Sequence, residues 1–517
     1  FQRFDDPRLN QKTQHDQTTV LGWTQEDGAA CLIVGYSNFE DANSGPAFVQ
    51  CYDLKSANGK APQKITGDLS STGPMAMADY DGDGDLDLFV GGRTIPGRYP
   101  EPASSWLYRN ENGSFKLDEQ NSVKLKDVGM VSGAVFSDFD GDGDPDLVLA
   151  IEWGPVTIFR NTNGAFANAT AELGLAESRG WWNGVATGDL NEDDRLDLIA
   201  TNWGLNSKYH LDDEHPLRIF YSDFDNNGTL DIAEAHFDPL MNKLVPERGL
   251  SCMSNAIPYV RQRLPTFKKF GGAGLDEIFG YRLTQAQELR ATTLEHTLFL
   301  NLENGFKAVA LPAEAQLAPA FHVGVADFDG DGHDDVFLSQ NFFSAQIETH
   351  RCDAGRGLWL KGDGTGRLEP VPGQVSGIGV YGEQRGAALS DYDQDGRVDL
   401  AVTQNGAATK LYHNAGAKPG LRVRLAGPKG NLLGTGAAIR IVYKDGFGPV
   451  RELHAGSGYW SQNSMVQVMG LRENPKGLWV RWPDGHITNS DLSDRASEVT
   501  VNFDGVLKVT QTAGLER

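Results

Sequence analysis

The chain has 517 residues, with 46 Lys+Arg against 70 Asp+Glu for a formal charge of −24, 39% hydrophobic residues and only 4 Cys. Apolar residues spread along the whole length exclude a disordered chain, and the length exceeds that of one small domain. So acidic a surface repels phosphate backbones and anionic headgroups, no basic run overrides it, and no stretch approaches the ~18 apolar residues of a membrane span, which argues against nucleic acid as a partner and against membrane insertion.

The chain opens at Phe1 rather than Met, which reads as a processed N-terminus that has lost a secretory signal; secreted, extracellular or periplasmic localisation is the expectation. The cysteines leave two readings open: Cys31 paired with Cys51 and Cys252 with Cys352, or four buried thiols. From Trp23, WTQEDGAACLIVG aligns with DYDGDGDLDLFVG further on, so that Asp27 and Gly28 fall on Asp83 and Gly84 while most acidic positions are lost. It reads as a first, metal-free unit of a repeat.

Six acidic copies follow, each with oxygen side chains at positions 1, 3, 5 and 9, usually Gly at 6, and then an apolar run. A loop that curls on a glycine presents alternate side chains to one point, and Ca²⁺ takes 6–8 such oxygens, with the carbonyl of position 7 adding one. The first copy offers Asp79, Asp81, Asp83 and Asp87 with Asp85 at position 7; the second offers Asp138, Asp140, Asp142 and Asp146 with Asp144. The third has Asp189, Asn191, Asp193 and Asp197 with Arg195, and the fourth Asp223, Asp225, Asn227 and Asp231 with Thr229. The fifth has Asp327, Asp329, Asp331 and Asp335 with His333, and the sixth Asp391, Asp393, Asp395 and Asp399 with Arg397. Positions 1, 3, 5 and 9 of these loops hold 22 of the 70 acidic residues and predict up to six structural calcium ions; a transition metal is not expected. The third site is expected to be weak, since Asp194 replaces the glycine and Arg195 brings a cation. Only the fourth copy fits an EF-hand, with Glu234 at position 12, where the others carry Val90, Leu149, Ala200, Leu338 and Val402; Glu234 is read as coincidence or an extra ligand.

Loop starts lie 59, 51, 34, 104 and 64 residues apart, bracketing the ~40–50 of a four-stranded propeller blade with insertions. The reading is an all-β fold: a seven-bladed β-propeller over 1–414 with a helical insertion at 240–292, then a linker and a β-rich domain over 415–517. The turn GSGYWSQ in the latter is expected to be a tight turn of a β-sandwich, with a small-ligand loop as the alternative.

The D-x-D-G-D-G-x-x-D-L loops resemble FG-GAP/VCBS repeats. The tail, with NLLGTGAAIRI, HAGSGYWSQNS, VMGL and VRWPDG, resembles the ASPIC/UnbV domain, a combination found in the cartilage acidic protein-like family. The resemblance implies a calcium-loop propeller followed by an ASPIC/UnbV domain, and secreted, calcium-binding or adhesion-like roles. Some propellers of this kind are polysaccharide lyases or sugar dehydratases.

If the calcium loops occupy one face, the strand ends opposite carry the function. Candidate ligand residues there are Arg93, Trp153, Trp182, Asn183, Trp203 and Phe342, since flat rings beside hydrogen-bonding groups suit a small-molecule or sugar pocket. His322, Arg385, Glu348, Glu152 and Glu383 are the catalytic candidates, able to supply a base, a cation and an acid; His322, His350 or Glu348 could hold a transition metal. The leading expectation is a module that binds a carbohydrate, small molecule or extracellular protein. The alternatives are an enzyme of lyase or dehydratase type and a structural adhesion protein. No Ser-His-Asp signature, P-loop or dinucleotide fingerprint is present.

Overall fold

Each acidic loop joins two antiparallel strands, because its glycines supply left-handed turns and the following apolar run fits a strand buried on both faces. At the first loop, Gly82 and Gly84 take φ of 74° and 96° between the fully buried strands Thr72–Ala78 and Asp87–Gly92. The computed structural model describes residues 6–39, 45–55, 63–212, 214–344, 349–493 and 496–512, and it is mostly β.

Six sheets follow one another in a series. Their innermost strands are Gln17–Thr24, Thr72–Ala78, Met130–Ser137, Val185–Gly188, Ala320–Ala326 and Glu383–Ser390, each lying against the next. Apolar cores fill the gaps between neighbours, as where Phe89 and Leu107 of the second sheet meet Phe136 and Leu147 of the third. The first five sheets have at least four strands, while the sixth has three, ending on the exposed strand Ala407–Tyr412. Cys31 and Cys51 form a disulfide within the first sheet, whereas Cys252 and Cys352 are free thiols.

The fourth loop departs from the expected run of sequential blades. A seventh sheet, ordered Lys243–Pro246, Asp231–Asp238, Leu217–Ser222 and Gln287–Ala291, carries the Asp223 loop. It is inserted between Asp197–Ala200 and Thr297–Leu302, which pair directly in the fourth sheet. Loop spacing misled because the chain leaves the fourth sheet, builds a complete sheet, and returns. Helices Leu250–Ala256, Tyr259–Arg263, Phe267–Gly271 and Leu275–Phe279 lie inside this insertion, as the sequence predicts, but 243–246 and 287–291 are strands.

After residue 414 come two further sheets, one of which pairs Leu421–Ala426 with Ala496–Asn502 in parallel. They pack around Leu425, Ile439, Val480 and Trp482. Residues 415–517 carry thirteen basic against nine acidic residues, opposite in balance to the rest, and they dock on the acidic loop ends. Arg481 Nη2 lies 2.6 Å from Asp138 Oδ2, Arg472 Nη1 2.8 Å from Glu192 and Lys429 Nζ 2.6 Å from Glu26. Glu452, buried, accepts from Ser137 Oγ at 2.6 Å and from the Asp138 N–H at 3.1 Å.

The GSGYWSQ segment is not a turn on the tail's surface. It runs between the innermost strands, with bridges Met77–Ala455 and Val185–Gly458, and Gly22 N–H donates to Gln462 Oε1 at 2.7 Å. Glycine is required at 458, where φ is +66° and a Cβ would lie 2.4 Å from His322 Nδ1.

Candidate functional site

At the loop end, the same bonds recur from sheet to sheet. The position 1 carboxylate accepts from the position 6 N–H, as Asp79 Oδ2 does from Gly84 at 3.0 Å and Asp327 Oδ2 from Gly332 at 2.8 Å. The position 9 carboxylate accepts from the position 2 N–H, as Asp335 Oδ2 does from Phe328 at 2.9 Å. Position 5 caps its own turn, with Asp83 Oδ1 accepting from the Asp85 N–H at 3.0 Å. Oxygens of positions 1, 3 and 9 converge within 4.8 Å of one another in the loops at Asp79, Asp138, Asp223 and Asp327. Asp79 Oδ1, Asp81 Oδ1, Asp146 Oδ2 and Asp225 Oδ1 are buried with no hydrogen-bond partner. Burial pushes the carboxyls of Asp79, Asp138, Asp231 and Asp327 up to about 6, Asp335 to about 8, and Asp87 and Asp146 to about 9. Acceptor-only oxygens gathered away from water without donors fit a hard cation.

Sequence reading missed a residue of this end. An asparagine closing the third strand donates its N–H to the position 9 carboxylate and its side-chain N–H to the position 8 carbonyl. Asn161 does so to Asp146 Oδ1 at 2.7 Å and Pro145 O at 3.2 Å, and it also reaches Tyr80 O of the preceding loop at 2.8 Å. Asn110, Asn301 and Asn414 repeat the first two bonds. The signal is an Asn followed within a few residues by Gly, as in NENG and NTNG. In the third loop, Asp194 takes φ +74°, Arg195 Nη2 lies 3.3 Å from Asp193 Oδ2, and Asp189 Oδ2 accepts from the Val450 N–H at 3.1 Å. In the fifth, Lys361 bridges Asp329 and Asp331. Glu234 lies in a strand and serves Arg248 at 3.1 Å, so it is no loop ligand.

At the opposite end the sequence-predicted residues divide. Arg93 pairs with Glu152, whose other oxygen accepts from Tyr99 OH at 2.8 Å, and Trp153 Nε1 donates to the same Tyr99 OH at 2.9 Å. Trp153 and Trp203 both pack edge-on against Trp181 with ring centroids 4.8 Å apart, and Trp203 meets Phe342 at 5.0 Å. Trp182 is the wrong member of its pair for this face. Trp181 ends the strand Arg179–Trp181 and faces the rings, while Trp182, the next residue, sinks between sheets against Phe299, with Nε1 bonded to Ser178 O at 3.0 Å. Asn183 is buried too and ties Ala320 O at 2.8 Å.

His322 is sealed in the interior rather than offered as a base. The tail covers it, with Ser461 Oγ 3.0 Å from Nδ1, and burial depresses its pKa to about 3. Glu383 holds Arg385 at 2.6 Å and Asn405 Nδ2 at 3.1 Å. Arg385 also stacks 3.9 Å above Phe321. Glu348 lies outside the described residues. His350 and Arg351 are exposed, with Arg351 Nε 3.2 Å from Asp353.

The tail completes this end. Tyr459 and Trp460 stack at 4.7 Å and 10°, Tyr459 packs edge-on to Phe321 at 5.4 Å, and the pair floors a cleft of about 740 Å³ between the first and sixth sheets. Thr18, Val20, Arg385, Ala387, Asn405 and Trp460 are among its walls. Thr18 Oγ1 and Trp460 Nε1 are buried without partners, and among the described residues no Asp, Glu or His lines it. Tyr459 and Trp460 belong to the GSGYWSQ turn, for which a small-ligand loop is the lesser expectation, and they enter the cleft from the tail.

Residues 79–149 and 138–200 match the FG-GAP-like repeat, and residues 427–505 match ASPIC and UnbV. The chain thus carries FG-GAP-like repeats and an ASPIC and UnbV domain. It is 23% identical over 493 residues to Cartilage acidic protein 1 of Xenopus tropicalis, and 23% identical over 481 residues to that of Mus musculus, each alignment covering 81% of this chain and 71% of the relative. Among solved structures, exotype rhamnogalacturonan lyase YesX aligns over 87% of this chain and 72% of its own, at 13% identity and a TM-score of 0.32.

Proposed function

We propose that the protein is a secreted, calcium-stabilised β-propeller of six blades that binds a carbohydrate in the cleft between its first and last sheets. The domain division follows at residue 414, with the tail as both clamp and floor. Calcium would be held by the position 1, 3 and 9 carboxylates at the loops of Asp79, Asp138, Asp223 and Asp327, and at the first three it would satisfy partnerless oxygens; it would supply structural charge neutralisation there. The Cys31–Cys51 disulfide supports an oxidising compartment and hence secretion.

The observation that carries the ligand reading is the cleft itself. Its 740 Å³ falls within the ~300–1,000 Å³ typical of small-molecule sites. It combines the flat Trp460 ring with Arg385, Asn405 and two unpartnered donors, and it lacks an acid or base among the described residues. That composition favours binding over β-elimination or dehydration, which need a proton acceptor. Calorimetry of wild type and Trp460→Ala against a panel of neutral oligosaccharides, which the basic surface of the inserted sheet would not attract, tests the reading. Binding by wild type that Trp460→Ala abolishes is expected; equal affinity of the two, or turnover of any sugar, overturns it.

A further inference from the structure

The inserted sheet carries a surface unlike the rest of the chain. Between Glu247 and Asp276 there is no acidic residue, while Arg261, Arg263, Lys268 and Lys269 fall in that stretch, and all four are exposed. The linear sequence hides this island, since no long basic run marks it; the short helices Tyr259–Arg263 and Phe267–Gly271 gather the charges. Three other cations of the insertion are neutralised: Lys243 by Glu277 at 2.6 Å, Arg248 by Glu234 at 3.1 Å and Arg290 by Glu288 at 2.6 Å. Among the described residues the four form no ion pair. Arg261 donates only to Ser254 Oγ, at 3.3 Å.

Aromatic rings lie among these charges. Phe267 is 67% and Tyr281 69% exposed. Arg261 lies 6.0 Å from the Phe267 ring, and Arg282 4.5 Å from Tyr259 and 6.0 Å from Tyr281. Arg263 rests against Gly280, the neighbour of Tyr281, where a Cβ would lie 3.2 Å from Nη1. Beneath them Phe224, Phe270, Leu275 and Phe279 form a closed core, so the surface is rigidly backed.

Like charges held together without counter-ions repel, and exposed rings beside them gain nothing for the fold. Both features acquire a purpose against a partner that bears negative charge and flat apolar faces. We propose that residues 257–282 dock a linear acidic polysaccharide, whose carboxylate or sulfate groups meet the four cations while its ring faces lie on Phe267 and Tyr281. The shape of the partner follows from the remaining charge. A broad membrane plane would meet more of a net acidic chain than the island alone, and charges within the screening length of about 8 Å repel. A single glycan strand touches the island alone. This surface is independent of the cleft.

Calorimetry with a heparin octasaccharide, calcium present, tests it on wild type, on Arg261→Glu/Arg263→Glu/Lys268→Glu/Lys269→Glu, on Phe267→Ala and on Trp460→Ala. All the substituted side chains of the quadruple variant are exposed, and an unchanged melting temperature verifies its fold. Wild type is expected to bind with an affinity that falls as NaCl rises. The quadruple variant should lose at least about tenfold, or 1.4 kcal/mol, Phe267→Ala should lose less, and Trp460→Ala nothing. Undiminished binding by a folded quadruple variant overturns the proposal, as does absence of binding by wild type. Tighter binding to phosphatidylserine vesicles or to a 20-nucleotide DNA strand also overturns it.

Discussion

At the loop end of the sheets one arrangement recurs in most loops: the position 1 carboxylate accepts from the position 6 N–H, the position 9 carboxylate accepts from the position 2 N–H and from a closing asparagine, and oxygens of Asp79, Asp81, Asp146 and Asp225 are left over. At the other end no two sheets present the same residues. Arg93 with Glu152, Trp181, Trp203, Phe342 and Arg385 with Glu383 come one or two from each of the second to sixth sheets, and the tail adds Tyr459 and Trp460. Repetition is what a structural requirement produces, as the proposed calcium sites would be. Singular side chains are what a particular ligand would select, as the proposed cleft requires.

Metal removal should separate the two ends most strongly. A cation bound only to the native state at a hundredfold excess over its Kd contributes about 2.7 kcal/mol per site. Thermal unfolding in chelator should therefore show a fall in melting temperature larger than any substitution below produces. The pH response should then change sign. Buried carboxyls raised from 3.8 to about 6 at Asp79 and about 9 at Asp87 and Asp146 favour the fold while protonated. Their contribution is complete below 3.8 and is lost as pH rises through 6 to 9, so the metal-free protein should become less stable from pH 5 to 8. With calcium present, proton competition weakens over the same range, and stability should hold or rise. Parallel pH profiles in the two conditions would break the comparison.

The connection between the ends is the tail segment threaded through the sheets. Gly458→Val adds a side chain 2.4 Å from His322 at a left-handed φ, at an expected cost of about 3 kcal/mol or more in denaturant unfolding. It should also open the cleft floor. Asn161→Ala strips a buried amide from Tyr80 O and Pro145 O and should cost about 2–3 kcal/mol; it should weaken calcium affinity and leave sugar binding unchanged. Trp460→Ala, partly exposed, should cost only about 1 kcal/mol from its stack on Tyr459, yet abolish ligand binding.

The acidic loops were legible because their ligand pattern is local: ten consecutive residues carry all the carboxylates of a site. The β class and the helices at 250–279 followed from equally local periodicity. The blade number did not, since a returning insertion such as Leu217–Ala291 looks the same in spacing as a sequential blade. Trp181 and Trp182 are adjacent, and only the folded backbone decides which one reaches the ring cluster. His322 read as a candidate base, but its environment is set by Gly458 and Ser461, more than 130 residues away. The cleft was invisible for the same reason, because its walls come from residues 17–22, 385–405 and 459–462.

The account rests on partnerless loop oxygens being cation ligands, and anomalous diffraction from a terbium-soaked crystal tests that most directly. Peaks within coordination distance of Asp79 Oδ1, Asp81 Oδ1, Asp146 Oδ2 and Asp225 Oδ1, with none in the Trp460 cleft, are predicted. Loops without peaks, or the strongest peak among the Arg385–Trp460 walls, would contradict it.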